Sequence, residues 1–197
     1  KGLGVSLQHK RTKGFTMRTS SFSSFLVGTI NYMPPMSKQQ AKILPARYSI
    51  SAQELGEIAS QAEITYSPNK KNTFSANVSY VTDDHNKEIY HEYYLDYYHK
   101  FGKKLKATFG VQTVYYDKEV YENENEPAVT TFTPFSEFVY KFDRKKSVRW
   151  EIQYLFTEQD HGDFFFGLVE FNIAPHYSFS IADMINTKPL KVDDVKH

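Results

Sequence analysis

The stretch SVRWEIQYLF, Ser147 to Phe156, puts Val148, Trp150, Ile152, Tyr154 and Phe156 on one parity and Ser147, Arg149, Glu151 and Gln153 on the other. Successive side chains of a β-strand point to opposite faces, so this is a strand with one greasy wall and one wet wall. A protein interior accepts Arg149 and Glu151 only with partners. Setting the greasy wall against lipid and the wet wall around the inside of a barrel satisfies both.

The same rule repeats along the chain. Ile58, Ala62, Ile64 and Tyr66 alternate with Glu57, Gln61, Glu63 and Thr65; Phe74, Ala76, Val78 and Tyr80 alternate with Ser75, Asn77 and Ser79. Tyr93, Leu95, Tyr97 and Phe101 oppose Glu92, Tyr94, Asp96 and Lys100, and Leu105, Ala107, Phe109 and Val111 oppose Lys106, Thr108 and Gln112. Phe132, Phe138, Tyr140 and Phe142 oppose Thr133, Glu137 and Lys141, and Phe165, Val169, Phe171 and Ile173 oppose Glu170 and Asn172. Leu3, Val5 and Leu7 begin the series, Tyr177, Phe179 and Ile181 end it, and the less regular Phe15–Tyr32 is read as one further strand. The expectation is about ten long strands in antiparallel up-and-down order. At a rise of about 3.3 Å per residue and a tilt near 40°, strands of this length reach roughly 25 to 35 Å along a barrel axis, the thickness of a bilayer's apolar slab.

Composition agrees with that expectation. Fifteen Tyr and sixteen Phe bring aromatic residues to 16%, yet the mean hydropathy is −0.56, so rings must be interleaved with polar groups. No run approaches the roughly 18 apolar residues of a spanning helix. A formal net charge of +1 argues against nucleic acid as a partner, which requires a concentrated basic surface. There is no cysteine, which removes disulfides, thiol catalysis and thiolate metal sites.

The links carry a second regularity. Short basic links, KRTKG at Lys10–Gly14, SPNKKN at Ser67–Asn72, KFGKK at Lys100–Lys104 and KFDRKK at Lys141–Lys146, alternate with acidic or longer ones, TDDHNKE, DKEVYENENEP and TEQDHGD. Alternate links of an up-and-down sheet lie at opposite ends, so one rim is tight and basic and the other long and acidic. Short turns mark the periplasmic side of outer-membrane barrels. The longest link, residues 33–56, falls on the outer side yet carries Lys38, Lys42, Arg47, Leu44 and Tyr48, so it is expected to fold into or over the lumen. Residues 185–197 read as a polar tail or loop, the stretch behind Lys1 does not read as a basic-then-apolar leader, and the chain reads as one barrel domain or a portion of a larger barrel.

Four stretches resemble an uncharacterised family of outer-membrane β-barrel proteins of Bacteroidota: GLGVSLQHKR; NYMPPMSKQQ followed by LPARYSISAQELGEI; HEYYLDYYHKFGKKLKATFGVQTVYY; and FVYKFDRKK through SFSIADM. The resemblance spans nearly the whole chain. It implies a transmembrane barrel in a bacterial outer membrane and family members longer than this chain, with further strands on both sides. Many relatives carry a longer Gly-rich segment after GEI, where this chain turns tightly. The likeness supplies no catalytic residue.

Candidate lumen-facing polar residues are Glu92, Asp96, Lys106, Glu137, Arg149, Glu151 and Glu170; candidate lipid-facing residues are Tyr93, Tyr97, Phe109, Trp150, Ile152, Tyr154 and Phe171. A carboxylate pair among the former could do acid-base work, but salt bridging in a polar lumen, or pore selectivity, is the simpler role. His91 and His99 share a parity but stand about 26 Å apart at strand rise, too far to share a metal. Tyr93 and Tyr97 suit an aromatic girdle, while Tyr90, Tyr94 and Tyr98 face the other way and stay open to a ligand. Pro134 suggests a bulge or an edge. No nucleophile elbow, phosphate loop or dinucleotide fingerprint occurs. The expectation is a non-enzymatic barrel without cofactor or metal, in contact with outer-membrane lipid and envelope proteins. It serves as a structural or accessory subunit, with a diffusion pore or transporter barrel as first alternative and a soluble barrel for a small apolar ligand as second.

Overall fold

The computed structural model describes residues 2–14, 20, 36–38, 41–50, 56–122 and 126–190. Nine strands form one sheet in sequence order: β1 (Gly2–Lys13), β2 (Gly56–Asn69), β3 (Asn72–Asp83), β4 (Glu88–Phe101), β5 (Leu105–Tyr116), β6 (Val129–Lys141), β7 (Lys146–Leu155), β8 (Gly162–Ile173) and β9 (Tyr177–Pro189). Each is antiparallel to its neighbours, as the period-2 alternation implies. The sheet is not closed, because β1 and β9 stand at its two edges. A helical turn, α1 (Lys118–Glu122), interrupts the β5–β6 link, and among the described residues no helix is long and apolar enough to cross a membrane.

The further strand expected over Phe15–Tyr32 lies outside the described residues except for Ser20. Three expectations are corrected, in a sheet where β1 pairs with β2 along its whole length. Lys10–Gly14 is not a tight turn at the basic rim. Alternation continues through it because Lys10 finds the buried carboxylate of Glu57, so β1 extends to Lys13 at the opposite, long-link rim. Residues 185–189 belong to β9 rather than to a tail, with Ile185 paired to Phe165 and Lys188 to Asp163.

Pro134, finally, is at neither a bulge nor an edge. It keeps its register opposite Val111 of β5, while the β6–β7 ladder skips the two pairs between Phe135–Gln153 and the bridge Phe132–Phe156. A residue without an N–H is tolerated mid-sheet because the neighbouring ladder lets go there.

On one face of the sheet, Leu3, Tyr66, Phe74, Tyr97, Phe109, Ser136, Ile152, Gly167 and Asp183 form a single cross-strand row. The apolar residues do not follow that row. On β1 the exposed ones continue from Leu3 toward the long links, as Val5 and Leu7; on β9 the exposed ones lie on the other side of Asp183, toward the tight turns, as Ile181, Phe179 and Tyr177. All of these are exposed, Leu7 at 77% and Ile181 at 80%. Hydrogen-bonded rows run perpendicular to strands, so a band that cuts them obliquely is one to which the strands are inclined.

Candidate functional site

The opposite face is polar and is covered by residues 36–38 and 41–50, a strap between β1 and β2 containing the 3₁₀ turn Pro45–Arg47. The strap is held at one end by its backbone. The N–H of Lys38 donates to both oxygens of Glu92 on β4, which also accepts from Asn77 Nδ2 at 3.0 Å and the Tyr90 hydroxyl at 2.8 Å. Glu92 is fully buried, so these donors replace the water its charge requires. Lys38 Nζ reaches Glu63 on β2 at 2.6 Å.

Lys42 anchors the middle. Glu137 of β6 and Glu151 of β7 are directly opposite in register, a repulsive arrangement unless cations intervene. Lys42 Nζ lies 2.9 Å from Glu151 and 3.7 Å from Glu137, and Arg149 contacts both carboxylates and, at 3.6 Å, Glu170 of β8. Two residues on, the Leu44 N–H donates to Gln153 Oε1 at 3.0 Å, and the Leu44 side chain is buried.

Each strap cation also lies over a ring of the sheet: Lys38 over Tyr94 at 5.2 Å, Lys42 over Phe135 at 4.6 Å and Arg47 over Phe164 at 4.0 Å. Desolvated cation–π contacts strengthen such seating. Phe135 can lie across the sheet, stacked on Tyr94, because its cross-strand neighbour is Gly110; a Cβ there would collide with the ring and stand 2.5 Å from the Leu95 carbonyl oxygen.

At the long-link rim the Tyr48 hydroxyl bonds Asp160 at 3.2 Å, and its ring packs on Tyr116. Asp160 also accepts from the buried Lys118 at 2.9 Å, and Lys118 contacts Glu126 at 2.8 Å and Glu122 at 3.5 Å. Burial pushes the Asp160 carboxyl up, but the Lys118 hydrogen bond, the charges of His161 and Lys118, and the Tyr48 hydroxyl outweigh it and hold the group below the ordinary carboxylate range. Burial, followed by the Asp160 charge, drives the Tyr48 phenol well above its ordinary value.

Of the seven polar residues singled out by parity, Glu137, Arg149, Glu151 and Glu170 come together in one ion network, Glu92 forms the separate strap anchor, Asp96 accepts from Tyr94 at 2.8 Å, and Lys106 stands apart, opposite Lys100. On the other face Tyr93, Phe109 and Ile152 are exposed, and Tyr97, Trp150, Tyr154 and Phe171 are half-buried by neighbouring rings, with Trp150 stacked on Phe138 at 5.3 Å. Tyr90 donates its hydroxyl to Glu92, which anchors the strap, and Tyr94 is the platform beneath Lys38. Glu63 and Gln153, placed on the polar face by alternation, and Phe164 were not among the candidates, since nothing in strand alternation says which residues of that face a distant segment will touch.

His91 stacks on Tyr115 at 5.2 Å and His99 bonds Asn72 at 2.6 Å. Asp83, Asp84 and His85 cluster at the β3–β4 turn, where Asp83 Oδ1 already accepts the N–H groups of His85 and Lys87 at 2.9 and 2.8 Å. Acid-base chemistry at Glu137 and Glu151 would need one carboxylate free to exchange a proton with a substrate; Lys42 and Arg149 occupy both.

The chain is thus an all-β protein, a single up-and-down antiparallel sheet with one exposed apolar face and one polar face closed by its own strap. It belongs to the family of unknown function DUF6029, whose model matches residues 1–197. No curated protein and no solved structure matches the chain.

Proposed function

We propose that the sheet is the wall of a transmembrane β-barrel in a bacterial outer membrane, whose lumen is filled by residues 36–38 and 41–50, and that it works as a structural or accessory subunit of an envelope assembly. The observation that carries the reading is the pairing of an exposed apolar face with a polar face whose charges are matched from within. Ile152 is 45% exposed while its neighbour Glu151 is 5% exposed. A water-soluble barrel for an apolar ligand would have the reverse arrangement.

The inclination of the apolar band to the strands supports closure, because barrel strands must tilt against the axis, and therefore against the membrane. The edges of β1 and β9, which have no partner strand among the described residues, are the places where further strands would complete the ring. Long exposed edges carrying alternate apolar residues aggregate unless paired.

The strap favours a scaffold over a pore. A diffusion channel needs water-filled space along its polar wall, whereas here Lys42, Leu44 and Tyr48 fill the space beside that wall. Reconstitution in a planar bilayer tests the choice: the scaffold reading expects no steady conductance from the intact protein and co-purification of a defined envelope partner. Ohmic conductance in every insertion would return the assignment to a pore.

A further inference from the structure

The tight-turn rim carries a charge that the scaffold reading does not use. The tips of the β2–β3, β4–β5 and β6–β7 hairpins hold Lys70, Lys71, Lys103, Lys104, Arg144 and Lys145, all exposed. The acid within these described turns is Asp143, and its carboxylate is already engaged by the N–H groups of Lys145 and Lys146 at 2.7 and 2.9 Å. Just inside the rim, Lys100 and Lys106 face each other across β4 and β5, a like-charge pair that costs stability unless an anion is near.

The apolar face adds a second observation. Directly beside these cations it ends in rings: Phe142 packs on Tyr140 at 5.1 Å and on Phe171 at 6.3 Å, and Phe101 packs on His99 at 4.3 Å. Along β4 the order is therefore aliphatic Leu95, aromatic Tyr97 and Phe101, then cationic Lys103, and the β6 limb runs through Phe138, Tyr140 and Phe142 to Arg144. Rings prefer the boundary between tails and headgroups, and long cationic side chains reach past it to the phosphates. An acidic protein partner would require the cations but not the collar of rings beside them.

We propose that this rim binds the phosphate headgroups of anionic phospholipids in the leaflet it meets. The inference rests on the membrane reading above and adds a lipid preference to it. Each cation near such a surface adds to the attraction, which salt screens. Trp150, the single tryptophan, lies on the apolar face of β7 near this rim and reports the lipid beside it.

The test reconstitutes the protein in phosphatidylcholine containing either brominated phosphatidylglycerol or brominated phosphatidylcholine, and compares quenching of Trp150. The expected result is several-fold stronger association of the anionic lipid, reduced to near parity by high salt and by the combined exchange Lys103→Gln, Lys104→Gln, Arg144→Gln and Lys145→Gln. These positions are exposed turn residues, and the exchange leaves Gly102 and Asp143 in place. Equal quenching by the two lipids, or a preference that the variant retains, overturns the proposal. So does rim-dependent binding of poly-L-glutamate without lipid preference, which would assign the surface to an acidic polypeptide. Absence of quenching by either brominated lipid overturns the membrane reading itself, and is thereby distinguished from loss of the lipid preference alone.

Discussion

The backbone N–H of Lys38 donates to both carboxylate oxygens of Glu92, at 3.1 and 3.0 Å, across 54 residues of sequence. Because the donor is main chain, the anchor depends on Glu92 and not on the lysine side chain. A hydrogen bond to a charged group contributes about 1.5–3 kcal/mol. Glu92→Gln, which removes the charge and one of the two acceptors, should raise the rate of tryptic cleavage after Lys42 by about 10-fold in the folded, detergent-solubilised protein. Lys38→Ala, which keeps the backbone anchor and loses the part-buried pair with Glu63 and the contact over the Tyr94 ring, should raise it less.

Lys42 stands between two carboxylates that face each other. Breaking a buried pair by removing one partner typically costs about 3–5 kcal/mol because a charge is left uncompensated. Arg149 still touches both acids here, so Lys42→Met should cost about 3 kcal/mol, read from the urea midpoint of refolding into micelles. Adding Glu151→Gln should recover more than half of that loss. A double variant as unstable as the sum of the two single ones would show that the lysine acts through its packing on Phe135 rather than through charge.

Gly110 matters for the space above it. Gly110→Ala places a methyl against the Phe135 ring and the Leu95 carbonyl, and overpacking of this kind costs about 1–3 kcal/mol. Adding Phe135→Leu should relieve the ring contact but not the backbone one, so thermal stability should return only in part.

Strand identity, facing and antiparallel order were legible in the sequence because alternation is a local property: each of Trp150, Ile152 and Tyr154 declares its face beside Arg149, Glu151 and Gln153. Two things were not local. The end of β1 was misplaced because Lys10 reads as a turn residue until Glu57, remote in sequence, is seen to hold it. The role of residues 36–38 and 41–50 was half legible, since Lys38, Lys42 and Arg47 were conspicuous in an outer-side link, but their acceptors are chosen by three-dimensional packing. Pro134 shows the same limit, as its cost is absorbed by a gap in the neighbouring ladder that no sequence pattern announces.

Acid should loosen the long-link rim. The Asp160 carboxyl is held below its ordinary value in the folded protein, so it favours folding above the unfolded value of about 3.9, and that contribution is lost as pH falls from there through the depressed folded value. Unfolding free energy measured between about pH 6 and about pH 3 should fall less steeply in Asp160→Asn than in the parent. The variant should also be less stable at the upper end, where Lys118 and Tyr48 lose a charged acceptor.

The central claim is that the Ile152 face meets hydrocarbon. Nitroxide labels at Ile152→Cys and Ile181→Cys in the bilayer-reconstituted protein measure this by collision with oxygen, which concentrates in lipid, against a water-soluble nickel chelate. The membrane account expects both labels to be mobile, strongly relaxed by oxygen and shielded from nickel. Labels relaxed by nickel and not by oxygen would place that face in water and contradict the account.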